Sequence, residues 1–128
     1  SQNIIYRSLW ERKFMNYCDL NENILEWASE EFWIPYRDPT TNRVRRYFPD
    51  FFIKYKDKDG NIRRSVIEVK PMRETLEPKA TKGKSRKTLI NESVTYVKNQ
   101  AKWKAAREFC ADRKLEFKIM TEKELGIR

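Results

Sequence analysis

The sequence predicts an α/β (α+β) domain in which a central mixed sheet, built on one long β-hairpin, is flanked by helices. Three observations carry that expectation. Phe51 to Lys56 and Ile62 to Ile67 are runs of aromatic and β-branched residues on either side of the short polar stretch Asp57-Lys58-Asp59-Gly60-Asn61, the pattern of a β-hairpin. The hairpin carries apolar residues on both faces: Phe51, Ile53, Ile67 and Val69 on one, Phe52 and Val66 on the other. Such strands belong in the middle of a covered sheet. Helical patterns lie on both sides of the hairpin in the chain, so layers of helix against sheet are the economical packing.

The elements follow in order. From Ser8, the residues Leu9, Trp10, Phe14, Tyr17 and Cys18 recur at three- and four-residue spacing and predict a first helix. Ile24 to Ser29 and Phe32 to Tyr36 read as short strands, and Arg37-Asp38-Pro39-Thr40-Thr41-Asn42 reads as a turn. Val44 then leads into the hairpin. After Pro71 the chain becomes polar, and an insertion at 72–88 contains the basic run Lys79 to Lys87. A long helix is expected from about Asn91 to Arg113, with Val94, Val97, Ala101, Ala105 and Phe109 on one face. Leu115 to Met120 reads as a last strand. The 128 residues read as one domain, 1–128, large enough to bury a core.

Composition narrows the function. A net charge of +9 and a pI near 9.6 point to a polyanionic partner, nucleic acid or an anionic membrane surface. No apolar run approaches the roughly 18 residues that span a bilayer, and no strongly amphipathic basic helix stands out. Cys18 and Cys110 are expected as reduced, packed thiols, which suits an intracellular setting. The chain has no histidine. That excludes a histidine general base, Cys/His zinc sites and histidine-activated nucleophiles. Hydrolytic chemistry must then run on carboxylates, lysine and a hard cation.

The hairpin places such groups together. If Lys56 faces Ile62, then Asp50 falls opposite Glu68, and alternation puts Lys70 on the face of Glu68. Directly opposed carboxylates are unfavourable in a sheet unless something neutralises them. Lys70 at a solvated edge would do so, and so would a divalent cation. Mg²⁺ retains several waters, so Asp50, Glu68 and the backbone carbonyl of Val69 suffice as protein ligands. Lys70 can orient the attacking water or assist its deprotonation.

Other candidates carry two readings each. Ser8-Leu9-Trp10-Glu11 has the form of a capping box, which would make Glu11 a helix-start device. Glu11 also shares a face with Phe14, Met15 and Cys18, which would aim it at the sheet as a further metal ligand. Lys79, Lys82, Lys84, Arg86 and Lys87, with Arg43, Arg45 and Arg46 before the hairpin, form either a solvated surface or a basic rim for DNA, and the rim is favoured. Trp103 is expected to pack. Gln100 either orients a ligand or is exposed.

The set Glu11, Pro49-Asp50 and Glu68-Val69-Lys70 resembles the PD-(D/E)XK nuclease superfamily. With Tyr6 to Phe14, Arg46 to Phe51, Ile67 to Pro71 and Asn99 to Trp103, the likeness is closer to the head completion nucleases of tailed bacteriophages. This resemblance implies a restriction-endonuclease-like core and a Mg²⁺-dependent deoxyribonuclease, with Mn²⁺ as a substitute. It implies Asp50 and Glu68 as metal ligands, Lys70 as the catalytic lysine and Glu11 as the helix acid. The implied partners are double-stranded DNA and phage head or portal-region proteins, in the host cytoplasm during assembly or on the virion. Transposon end-cutting endonucleases share this layout, and a DNA-end or head-binding protein on a nuclease fold is the non-catalytic alternative.

Overall fold

A computed structural model describes residues 2–29 and 32–127, with side chains from residue 9 onward within those ranges. Helix α1 (Gln2–Leu20) leads into strands β1 (Ile24–Ser29), β2 (Ile34–Asp38), β3 (Arg43–Tyr47), β4 (Phe51–Lys56) and β5 (Ile62–Val69). The short helix α2 (Met72–Thr75), the long helix α3 (Arg86–Asp112), β6 (Glu116–Met120) and α4 (Glu122–Leu125) complete the chain. The main sheet has the order β1-β4-β5-β6 and is mixed, because β6 runs parallel to β5 while the other pairs are antiparallel. The predicted fold class is therefore the observed one.

The β4–β5 hairpin pairs from Lys56↔Ile62 down to Phe51↔Ile67, the anticipated register. Its turn is held by the Asp57 carboxylate, which accepts from the amides of Asp59 and Asn61 and from Arg63. Gly60 sits there at φ +83°, where a side chain would be strained. Arg43 to Tyr47 does not extend this hairpin, as the sequence suggested. It pairs with β2 in a separate two-stranded sheet, whose turn places Asn42 in the left-handed region. Pro49 lies at the crossing between the sheets, where a missing amide donor costs no ladder bond.

The main sheet is covered on both faces. On one, Phe14 and Cys18 of α1 meet Phe51, Ile53, Ile67 and Val69, with the Phe14 and Phe51 rings 4.7 Å apart. Burying each such phenyl ring stabilises the fold by about 1.5–3 kcal/mol. The indole of Trp27 donates to Asp19 and ties β1 to α1. The second core joins Ile34, Tyr36 and Tyr47 of the small sheet to Trp103 and Ala106 of α3. The two thiols are free and buried, and burial pushes each to about 11, so they act as small apolar groups.

Several boundaries differ from expectation, among them β2, which runs Ile34–Asp38 and not Phe32 to Tyr36. Helix α1 begins at Gln2, upstream of Ser8, because nothing between them breaks a helix. Ser8 is thus interior to the helix and not its first capping residue. Helix α3 starts at Arg86, with Ser85 accepting from the Thr88 amide as its cap. The polar insertion is therefore reduced to a loop at 76–85 after α2, and Arg86 and Lys87 are helical. The buried stripe of α3 is Asn99, Trp103, Ala106 and Cys110, while Val94 and Val97 are exposed. The buried residues of α3 all fall in its second half, so Val94 and Val97 of the first half remain exposed.

Candidate active site

The site forms where β3 hands over to β4 and where β5 ends. The β4–β5 ladder closes at Phe51↔Ile67, so Asp50 stands abreast of Glu68. Its carboxylate accepts the Val69 amide at 2.8 Å. Both acids are almost sealed from solvent, at 6% exposure for Asp50 and 4% for Glu68. Residues 67 and 69 face α1, so alternation turns Glu68 toward α3. There the Trp103 indole N–H lies 3.5 Å from its Oε2, at the outer limit of a hydrogen bond.

Burial, and after it the charge of Asp50, push the Glu68 carboxyl up to about 8, with Lys70 acting in the opposite sense. Two carboxylates held this close in a dry site cannot both remain ionised without a positive neighbour. The Tyr47 hydroxyl is buried against Glu68 and Asp50 and has no hydrogen-bond partner among the described residues. Its ionisation is suppressed first by burial and then by the two carboxylates, so it remains a neutral O–H. A buried acid pair beside an unpartnered hydroxyl fits a hydrated divalent cation, whose charge satisfies the acids and whose waters satisfy the hydroxyl.

Lys70 is half-buried at the end of β5, where its amide donates to the Met120 carbonyl at 3.0 Å. The Met72 amide donates to Glu122 at 2.7 Å, which anchors the chain as it leaves the site. The Lys102 ammonium lies over the rings of Tyr36 and Tyr47, 5.8 and 5.9 Å from their centroids, and adds positive charge on the α3 side.

The structure separates the other predicted residues. Glu11 is half-buried on α1, one turn before Phe14, and α1 covers the face opposite the Glu68 side chain. No three acidic or thiol side chains converge as a metal-holding group among the described residues. Asp50 and Glu68 thus stand as a pair, with Glu11 on the helix that covers the other face of the sheet. Gln100 is half-buried beside the fully buried stripe of α3.

The basic residues also divide. Arg45 bonds Asp38 at 3.1 Å, and Asp38 is further held by Thr40 and lies 3.8 Å from Lys98. These partners, the Thr40 hydroxyl first, keep the Asp38 carboxyl below the usual range. Arg46 covers the Trp33 ring at 4.8 Å. The Lys84 ammonium is tied to the Lys79 carbonyl and to Glu92, both at 2.8 Å, so it braces the loop. Arg43, Lys79, Lys82, Arg86 and Lys87 are exposed.

Tyr47, whose hydroxyl lies beside both carboxylates, is a candidate that sequence reasoning missed. Tyr47 reads as an ordinary strand aromatic, and only its place three residues before Asp50 hinted at more.

Comparison with known proteins agrees with this geometry. Residues 21–122 match the family described as TnsA-like endonuclease N terminal. The chain is 37% identical over 122 residues to the head completion nuclease of Enterobacteria phage T4, covering 93% of this chain and 79% of that protein. No solved structure matches the chain. With most of its length and all of its main sheet inside that match, the chain belongs to the TnsA-like endonuclease family.

Proposed function

We propose that this nuclease hydrolyses phosphodiester bonds of double-stranded DNA with the help of a divalent cation, Mg²⁺ or in its place Mn²⁺, and that it acts in completing a phage head. The observation that carries the chemistry is the buried Asp50–Glu68 pair facing the unpartnered Tyr47 hydroxyl. The placement in phage assembly, in the host cytoplasm and near head or portal proteins, rests on similarity to the T4 protein, whose name states that role for itself.

Asp50, Glu68 and the Val69 carbonyl would hold the cation, which supplies charge for the phosphate and acidifies water when bound. Glu68 must surrender its proton for this, while the Val69 amide keeps Asp50 oriented. The Tyr47 hydroxyl donates to, or accepts from, the hydration shell and fixes its direction. The Lys70 ammonium, at the end of β5, would orient the attacking water and offset charge on the phosphate. Trp103 and the second core exclude bulk solvent, which strengthens each of these interactions. Glu11 is proposed as the helix acid, acting from the α1 side, where Phe14 stacks on the residue next to Asp50. Gln100 is proposed as a supporting polar group on α3.

The exposed cations Arg43, Lys79, Lys82, Arg86 and Lys87 supply the attraction for phosphate that an acidic centre lacks. Arg86 and Lys87 occupy the first turn of α3, where the helix dipole disfavours cations, so helix stability alone does not account for them. The test is incubation of the purified protein with linear, nicked, branched and single-stranded DNA, with Mg²⁺ or Mn²⁺ and with chelator. Metal-dependent cutting that chelator abolishes supports the reading, and absence of cutting on every substrate overturns it.

A further inference from the structure

The small sheet that brings Tyr47 to the acid pair has a second face, which the site does not use. In β2 and β3 the pairs Ile34↔Tyr47 and Tyr36↔Arg45 alternate with Pro35↔Arg46 and Arg37↔Val44. Ile34, Tyr36 and Tyr47 lie in the second core, so alternation turns Pro35, Arg37, Val44 and Arg46 outward, and all four are exposed. Trp33 and Phe48 extend this outer face by one row at the end nearest Asp50, with 45% and 49% exposure. A direct contact shows that ring and cation share the face: the Arg46 guanidinium lies over the Trp33 ring, 4.8 Å from its centroid.

Exposed rings scattered singly are ordinary, but two in one row beside two arginines make a continuous surface. Neither ring belongs to either core, so packing within the chain does not account for them. Among the described residues this outer face carries no acid. Asp38, the acid of the same hairpin, is fully buried on the inner side and held by Arg45 and Thr40. Arg37 donates to the Asn42 carbonyl at 2.9 Å, which fixes its charge at the turn end of the face. The occupant that matches is therefore anionic and offers flat apolar surface. A single DNA strand offers both, phosphates for the arginines and base faces for the rings. In a duplex the base faces cover one another, and the two rings would find no partner. Phe48 is two residues from Asp50, so their Cα atoms are at most about 7 Å apart. We infer that the outer face of the β2–β3 hairpin seats an unpaired stretch of DNA, with bases on Trp33 and Phe48 and phosphates on Arg37 and Arg46, beside the acid pair. The inference rests on the nuclease reading above and narrows its substrate to DNA with a single-stranded stretch next to the cut, as at a fork, flap or frayed end.

The test measures binding in chelator, where cutting plays no part. Fluorescence anisotropy compares a forked DNA with a paired duplex of the same length, for the parent chain and for the double variant Trp33→Leu with Phe48→Leu. Leucine keeps apolar bulk and removes the flat ring. The parent is expected to favour the fork by at least tenfold, since one stacked base is worth roughly that factor. The double variant is expected to bind fork and duplex alike, whereas Trp33→Phe with Phe48→Tyr retains the preference. Arg37→Ala with Arg46→Ala should flatten the salt dependence of fork binding by about 0.7 per arginine, the single-strand value. Equal affinity of the parent for fork and duplex overturns the inference, as does an undiminished preference in the leucine variant, which would assign the face to a protein partner. If the leucine variant does not fold, Phe48→Leu alone must lower the preference or the inference falls. A parent that binds and cuts fork and duplex alike sinks this inference and leaves the nuclease reading standing. A ring-dependent preference for the fork without cutting of any substrate upholds the face and counts against the catalytic reading.

Discussion

Replacing Glu68 with Gln should remove the pH dependence of stability that this buried acid creates. Burial and Asp50 push Glu68 up to about 8, whereas an unfolded glutamate ionises near its model value of 4.5. Between those values the folded chain holds a proton that the unfolded chain has released. The contribution of Glu68 to stability is therefore greatest below about 4.5, declines as pH rises and levels off above about 8. The slope approaches about 1.4 kcal/mol per pH unit at its steepest, so the accumulated loss is on the order of a few kcal/mol. The chain has no histidine, and both cysteines are pushed to about 11. Asp38, Asp57 and Glu116 are all lowered, so their contributions are already complete above the ordinary carboxylate range. Thermal unfolding followed by circular dichroism from pH 5.5 to 8.5 in chelator should show a melting temperature falling by several degrees. Glu68→Gln should flatten that decline, and saturating Mn²⁺ should restore the parent at high pH, since a cation takes the proton's place. A flat profile for the parent, or an equal slope in Glu68→Gln, would refute the account of the buried acid pair.

Three further outcomes follow from the geometry. Tyr47→Phe deletes an unpartnered hydroxyl, so stability should change by less than about 1 kcal/mol, while Mn²⁺ affinity measured by calorimetry should fall roughly tenfold. Lys82→Ala with Lys87→Ala should flatten the salt dependence of DNA binding by roughly two, at about 0.9 per phosphate contact, whereas Lys84→Ala should instead loosen the loop, visible as faster proteolysis after residue 76. Phe14→Ala should cost about 3–5 kcal/mol in denaturant unfolding, because it opens a cavity against Phe51 where the exposure is 0%.

The register of the hairpin was legible because alternation and a short Asp-Gly turn leave few ways to pair two apolar runs. That register places Asp50 abreast of Glu68, so the centre of the site could be read from the sequence. The errors lie where a pattern depends on what packs against it. Ser8 and Glu11 satisfy the spacing of a capping box, but whether a helix starts there depends on the residues before it, and these continue the helix. Val94 and Val97 have helical spacing and remain exposed, while Asn99 and Trp103 are buried, since the buried residues of α3 all fall in its second half. The pairing of Arg45 with Asp38 and of Lys84 with Glu92 joins residues through turns and caps that composition does not specify. Tyr47 became visible as a site residue only when the crossing at Pro49 set its hydroxyl beside two carboxylates.

The central claim is that Asp50, Glu68 and Lys70 form one hydrolytic centre, with the acids holding the cation and the lysine serving the water. Single-turnover cleavage of forked and paired DNA, measured beside Mn²⁺ binding for the parent, Asp50→Ala and Lys70→Ala, tests it most directly. Both variants should lose cleavage by at least about a hundredfold, the scale of a lost catalytic group. Asp50→Ala should also weaken Mn²⁺ binding, while Lys70→Ala largely retains it. Cleavage that survives in Asp50→Ala, or Mn²⁺ binding that is the same in parent and Asp50→Ala, would contradict that claim.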